Sequence, residues 1–210
     1  MVRMMTIAFC RLAVVLFLFG SAVSIRADVI DFETGSLFLF PGQTGSLEGF
    51  NFTAAGDTGA LVKVPAGCAS PCVSNGTRTL VTINGANVTI APTVGGTFSL
   101  SAFDVAGVFG TSQDVTSLEV IGNLFGGGQI TETFGVNPSV FQTFSLLPGF
   151  TNLTSAEFIA LAPTSLPQFQ LDNIQTTTTA VPEPASLVLL GSLAVFLSYK
   201  QHKLHPRRRT

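Results

Sequence analysis

The chain has few of the side chains that most hydrolases use for catalysis. It contains two histidines in 210 residues, and both, His202 and His205, lie close to the C-terminus. Residues 28–180 therefore have no histidine, which excludes Ser-His-Asp and Cys-His catalysis and the common zinc-hydrolase sites from this part of the chain.

Aromatic residues with a polar group are also scarce. Tryptophan is absent, and the single tyrosine is Tyr199. Because carbohydrate-binding sites commonly present such rings, this composition disfavours a glycan site built on ring stacking. Nineteen phenylalanines are present, and most alternate with polar residues as a sandwich core requires. Phe38, Leu39, Phe40 and Phe109 stand beside turn residues, so we expect them to form exposed apolar surface.

Positive charge is nearly missing from the central part of the chain. Residues 28–180 contain eleven acidic residues and two basic ones, Lys63 and Arg78, which gives a net charge of −9. So acidic a surface excludes nucleic acid and other anionic polymers as partners held by charge. It also leaves carboxylates for a hard cation such as calcium.

Short β-like segments separated by turn residues dominate the central region. The clearest is Val81–Ile83 followed by Asn84-Gly85 and Val88–Ile90, which predicts a hairpin. Turn signals every 8 to 12 residues predict an all-β fold with a single β-sandwich over residues 28–175. Residues 176–184 are expected to be a Thr-rich linker that ends in a Pro-Glu-Pro motif, with Thr176–Ala180 as an extended, solvated spacer.

The N-terminus has the layout of a secretory signal peptide. Arg3 and Arg11 precede or flank an apolar stretch, and small residues follow it. We assign residues 1–27 to a signal helix, with cleavage after Ser24 or, as the second choice, after Ala27. The alternative is an uncleaved N-terminal anchor. The predicted compartment is outside the cytoplasm.

The C-terminal thirty residues combine a short motif, an apolar run and a basic end. Ala185 to Tyr199 is apolar and is expected to form a transmembrane helix. The positive-inside rule places residues 200–210 in the cytoplasm. The motif consists of Val181, Pro182, Glu183 and Pro184, and the cations that set this topology are Lys200, Lys203, Arg207, Arg208 and Arg209.

This order of motif, helix and arginine cluster resembles the PEP-CTERM sorting tail. The resemblance implies processing by the membrane protease exosortase in a Gram-negative bacterium. It implies an inner-membrane-anchored precursor, followed by location at the cell surface or in the extracellular matrix, commonly beside exopolysaccharide. It concerns about thirty residues and leaves the role of the central domain open.

Two acidic segments stand at the ends of the predicted sandwich. Asp31-Phe32-Glu33 opens it, and Phe169 to Ile174 closes it with Asp172 and Asn173. These runs resemble the terminal strands of carbohydrate-binding-module and galactose-binding-like jelly rolls. That resemblance implies a jelly-roll-like sandwich and a structural calcium ion held by Glu33 and Asp172, with Asp31 and Asn173 as further ligands.

Cys68 and Cys72 are separated by three residues. In an exported protein this spacing predicts a local disulfide. The spacing does not match the two-residue interval of redox motifs, and no histidine or third thiol in the domain could complete a zinc site.

We interpret the chain as a non-enzymatic surface or matrix protein. The alternative is a calcium-stabilised glycan-binding module, and a third reading is a glycosidase that uses two carboxylates. Six further acids are scattered in sequence, and their spacing selects no catalytic pair; they are Asp57, Asp104, Asp114, Glu119, Glu132 and Glu157.

Overall fold

The structure, a computed structural model, describes residues 25–55, 59–64, 72–111, 114–161 and 167–180. They belong to one compact unit, Ser24–Ala180. Thirteen strands form it, in the order β1 Ile25–Ile30, β2 Phe38–Leu39, β3 Thr44–Leu47, β4 Phe50–Ala55, β5 Ala60–Val64, β6 Thr79–Ile83, β7 Asn87–Pro92, β8 Gly96–Ala106, β9 Ser117–Leu124, β10 Gln129–Gly135, β11 Gln142–Ser145, β12 Leu153–Leu161 and β13 Gln170–Ala180.

The strands form two antiparallel layers. One layer runs β3-β4-β7-β12-β9-β10, and the other runs β2-β5-β6-β13-β8-β11, with β1 paired along β13. The layers are joined where Leu153 of β12 pairs with Phe98 of β8. The predicted all-β sandwich is confirmed.

Phenylalanine fills the space between the layers. Strand β4 alternates strictly, with Phe50, Phe52 and Ala54 buried and the residues between them facing outward. Phe103 makes edge-to-face contacts with Phe134 and Phe158, at ring-centroid distances of 5.4 and 5.3 Å. Such pairs add about 0.5–1.5 kcal/mol beyond their buried area.

The predicted exposure of Phe38, Phe40 and Phe109 is confirmed, and that of Leu39 is wrong. Leu39 is only 7% exposed, because its side chain points to the opposite face of β2 from Phe38 and joins the core. Phe38 and Phe40 contact each other edge to face, with ring centroids 5.0 Å apart.

The predicted hairpin is wrong in its pairing and right in its turn. Asn84 and Gly85 both have positive φ, 54° and 78°, and Ala86 donates its N–H to Ile83 O. The strands on either side diverge into different layers, since β6 pairs with β5 and β13 while β7 pairs with β4 and β12. Strand β6 is buried on both faces, and it therefore lacks the solvated face that its alternating sequence suggested.

The predicted spacer is also corrected. Thr176–Ala180 is the second half of β13, with Thr176 opposite Leu100 and Ala180 opposite Gly96 on β8. On the other side of β13, Thr176 pairs with Asp28 of β1, and its hydroxyl donates to Asp28 O at 3.3 Å. Threonine is β-branched and favours strands, so this run completes the sheet.

Strand β1 begins before the predicted start of the domain. Ile25 pairs with Thr179, so Ile25–Ala27 lies in the sheet, whereas the sequence placed these residues in the signal peptide. Cleavage after Ser24, the first of the two predicted points, would leave β1 whole, whereas cleavage after Ala27 would remove half of it.

No helix long and apolar enough to cross a membrane occurs among the residues that the structure describes. The predicted signal helix before Ile25 and the predicted transmembrane helix at residues 185–199 lie outside those residues.

Candidate functional site

The first predicted calcium ligands belong to a hydrogen-bonded loop after β1. Asp31 donates its N–H to Glu48 Oε2 at 3.0 Å. Asp31 Oδ1 accepts the N–H of Glu33 at 3.0 Å, and Glu33 Oε1 accepts the N–H of Arg78 at 2.8 Å. One oxygen of each predicted ligand is therefore bonded to the backbone.

The other two predicted ligands lie on β13. Asp172 is buried, and its Oδ2 accepts Asn75 Nδ2 at 2.7 Å and Thr77 Oγ1 at 2.6 Å. Its Oδ1 accepts the N–H of Asn173 at 2.8 Å. Asn173 Nδ2 donates to Asp104 Oδ2 at 2.8 Å. Burial raises the pKa of Asp172, although the hydrogen bonds from Thr77 and Asn75 oppose that rise.

Residues 75–78 connect both groups, because Asn75 and Thr77 bond Asp172 while Arg78 bonds Glu33. Among the described residues there is no group of three or more His, Cys, Asp or Glu side chains placed to hold a metal ion. The structure therefore shows no such group at the predicted ligands, and the calcium site stays a prediction. Thermal unfolding with calcium or EDTA tests the predicted calcium site. A midpoint temperature raised by calcium supports a bound cation, and an unchanged midpoint temperature removes the site.

The predicted disulfide and the sorting tail lie wholly or partly outside the described residues. Cys68 falls in the gap at residues 65–71, so its pairing with Cys72 stays a prediction. The sorting motif at residues 181–184 and the cations that follow it stay predictions for the same reason.

A second region of the molecule brings together many more polar side chains than the loop of the predicted calcium ligands. The outer side of the layer β3-β4-β7-β12-β9-β10 forms what we call the polar face. Its members are Thr44, Ser46, Asn51, Thr53, Asn87, Thr89, Ser117, Glu119, Ile121, Asn123, Gln129, Thr131, Thr133, Ser155, Glu157 and Ile159.

Strand register aligns these side chains into rows across the layer. One row runs Thr44, Thr53, Thr89, Glu157, Ile121 and Thr131 on six successive strands. With strands about 4.8 Å apart, the row extends about 24 Å. Next to it, Ile159 lies opposite Glu119, which makes Glu119 the diagonal neighbour of Glu157.

The two edges of the polar face are bonded internally. At one edge Thr44 Oγ1 and Thr53 Oγ1 are 2.8 Å apart, and Ser46 Oγ donates to Asn51 Oδ1 at 2.6 Å. At the other edge Gln129 Nε2 donates to Asn123 Oδ1 at 2.9 Å. These ladders hold the outward side chains in place.

The centre of the polar face differs from its edges. No donor among the described residues hydrogen-bonds the carboxylate of Glu119 or Glu157. Burial raises the pKa of Glu157, and the neighbouring negative charge of Glu119 raises it further. Two half-buried acceptors thus lie diagonally across β12 and β9, each opposite an isoleucine, without a hydrogen-bond donor among the described residues.

Replacing Glu157 with glutamine should change the pH dependence of stability. A raised folded pKa means that this group favours folding below its ordinary value of 4.5 and loses that contribution as pH rises through the folded pKa. At neutral pH, E157Q should therefore unfold at a higher temperature than the wild type, and well below pH 4.5 the two should coincide. Melting curves at both pH values check this; equal midpoints at neutral pH would contradict it.

Sequence spacing gave no sign that Glu119 and Glu157 are neighbours, because the strands that hold them are separated in sequence by β10 and β11. Their strand alternation was the available signal, since both face away from apolar neighbours on the same strand.

Comparisons with known proteins give a likeness of fold alone. No protein-family model matches the sequence, and no curated protein matches it. Among solved structures, a family 29 carbohydrate-binding module is 14% identical with a TM-score of 0.44, over 79% of this chain and 99% of that one. Another family 29 module, from Piromyces equi, is 9% identical with a TM-score of 0.39, over 74% and 92%.

A third structure contains a family 22 module joined to a xylanase from Clostridium thermocellum, in complex with xylohexaose. It is 16% identical with a TM-score of 0.43, over 71% of this chain and 28% of that one. Likenesses of this extent concern the arrangement of strands and identify neither a family nor a ligand for this protein.

Proposed function

We propose that this protein is a non-catalytic glycan-binding module whose ligand lies across the polar face. The observation that supports this is the pair of unpartnered carboxylates, Glu119 and Glu157, at the centre of a six-stranded face of hydroxyl and amide groups. Half-buried acceptors without a protein donor gain a hydrogen bond when a ligand hydroxyl reaches them.

The chemistry of the face fits a neutral sugar chain. Sugar hydroxyls donate to the carboxylates of Glu119 and Glu157, and the Thr, Asn and Gln side chains offer both donors and acceptors. Ile121 and Ile159 flank the carboxylates and can pack against the C–H faces of a sugar ring. Two carboxylates in a domain of net charge −8 disfavour an anionic polysaccharide.

The placement of the carboxylates supports binding without cleavage. Glycosidases place their two carboxyl groups on either side of the scissile bond. Glu119 and Glu157 instead project from neighbouring strands on the same side of one sheet, and both therefore approach a ligand from one side.

The wider setting follows from the sequence predictions. We propose that the chain is exported, processed by exosortase at residues 181–184 and held at the membrane by residues 185–199 before it reaches the cell surface or matrix. An exopolysaccharide of that matrix is then the natural ligand for the polar face.

A glycan screen of the purified protein tests the function. We expect binding to neutral oligosaccharides of several units, weak binding to single sugars, and unchanged ligand masses after incubation. Shortened products in the mass spectrum would contradict the non-catalytic assignment. Silence across neutral glycans would contradict the glycan-binding assignment itself.

A further inference from the structure

Both ends of the folded unit lie at one end of the sandwich. Ile25, the first residue of β1, is opposite Thr179, and Ala180, the last residue of β13, is opposite Gly96 at the start of β8. The chain therefore enters and leaves the domain beside the β7–β8 loop. We call this the terminal end.

Two loops place apolar side chains at the terminal end. Val94, between β7 and β8, is 82% exposed, and Phe125, between β9 and β10, is 69% exposed. These are the highest exposures among the large apolar side chains that the structure describes. Phe125 donates its N–H to Asn152 O, and Thr97 Oγ1 donates to Asn152 Oδ1 at 3.0 Å. Asn152 thus connects the Phe125 loop to the start of β8, two residues beyond the Val94 loop.

The loops at the terminal end, and the ends of the strands that flank them, have no Asp, Glu, Lys or Arg. Residues 93–101, 121–131 and 146–156 contain no Asp, Glu, Lys or Arg, although the unit Ser24–Ala180 has a net charge of −8. An acidic protein is repelled by an anionic lipid surface. That repulsion is smallest at these uncharged loops, and the one cation of β1, Arg26, pairs with Thr178 at the same end. Exposed apolar side chains on uncharged loops are typical of surfaces that bind a membrane or a protein partner.

The length of the connection to the predicted anchor is short. The apolar run begins at Ala185, five residues after Ala180. Five residues span at most about 17 Å when fully extended. If residues 185–199 enter a bilayer, the terminal end is held beside the lipid, and even a weak contact becomes favourable because the tether makes it intramolecular.

We propose that the terminal end docks on the membrane surface, with Phe125 and Val94 inserted among the lipid headgroups and upper acyl chains. The occupant of this surface is the bilayer in which residues 185–199 are anchored. The proposal uses that predicted anchor and is independent of glycan binding, because the polar face is the outer side of one layer and stays open in this orientation.

The absence of tryptophan allows a direct test on the full chain. Phe125→Trp introduces a single fluorophore at the terminal end. Phe40→Trp is the matched control, because Phe40 is 53% exposed but lies at the opposite end, where Gly42 bonds Ala54 O. Both variants are reconstituted into vesicles of phosphatidylethanolamine and phosphatidylglycerol with brominated acyl chains.

An interfacial side chain lies about 5–10 Å below the surface, within reach of brominated lipid, so F125W should emit at shorter wavelength and lose about half its intensity. F40W should keep the emission of a solvated indole. Equal, unquenched emission from both variants would overturn the proposal. Flotation of the vesicles measures separately whether the chain is anchored. If the chain floats while F125W is unquenched, the chain is anchored but not docked, and the proposal is overturned. If the chain does not float, the docking is overturned too.

Discussion

Asp114→Ala is expected to lower the free energy of unfolding by about 3–6 kcal/mol, because it leaves several backbone donors without a partner. Asp114 is fully buried. Its carboxylate accepts the N–H groups of Val108, Phe109 and Thr111 at 3.1, 3.0 and 2.8 Å. A loss of this size is a large part of the 5–15 kcal/mol that stabilises a typical domain, by order of magnitude.

The proposed glycan binding depends indirectly on the carboxylate of Asp114. Asp114 fixes the segment between β8 and β9, and β9 presents Glu119 and Ile121 on the polar face. Val115 continues the connection by donating to Gln168 O at 2.9 Å. We therefore expect D114A to lose glycan binding at lower temperature or denaturant concentration than the wild type, together with its folded structure.

A matched control is Glu132→Ala. Glu132 also accepts a backbone N–H, from Leu147 at 2.9 Å, but this bond is exposed. Water can replace the lost acceptor there, so the expected cost is about 1 kcal/mol or less. Chemical denaturation of the two variants measures the difference, and similar losses for D114A and E132A would contradict the role given to Asp114.

Glu157→Ala is expected to weaken glycan binding by about 10- to 100-fold, the equivalent of one or two hydrogen bonds to a charged acceptor. Stability should not fall, because burial and the charge of Glu119 raise the pKa of Glu157 and make its ionised form unfavourable at neutral pH. Loss of binding with retained or increased stability separates a binding residue from a structural one.

Glu33→Ala supplies the comparison for Glu157→Ala. It removes the same charge and one backbone hydrogen bond, to Arg78, at an exposed position away from the polar face. Titration calorimetry with a neutral glycan should give the wild-type affinity for E33A. Equal affinities for wild type, E33A and E157A would exclude Glu157 from the site.

The fold class could be predicted from sequence because it depends on local patterns. Alternation of apolar residues in β4 and the recurrence of turn residues are visible in the chain itself. Strand pairing could not be predicted from local patterns, because β6 and β7 satisfy every local rule for a hairpin and yet pair with other strands. Burial of β6 on both faces decides the outcome, and burial depends on the whole fold.

The threonine run is a second case in which the local sequence did not predict strand pairing. Thr176–Thr179 has no apolar alternation, so its sequence suggested a spacer, whereas pairing on both edges makes it a central strand. The pair of carboxylates on the polar face was harder to predict from the sequence than the strands were. Glu119 and Glu157 become neighbours only through the register of β9 with β12, which no spacing in the sequence specifies.

Mapping of a bound neutral oligosaccharide by amide chemical shifts of the labelled protein tests the central claim most directly. The account predicts perturbed amides on β7, β12, β9 and β10, centred on Thr89, Glu157 and Ile121. Perturbations confined to the loops at residues 93–95 and 125–128, or to the other layer, would contradict it.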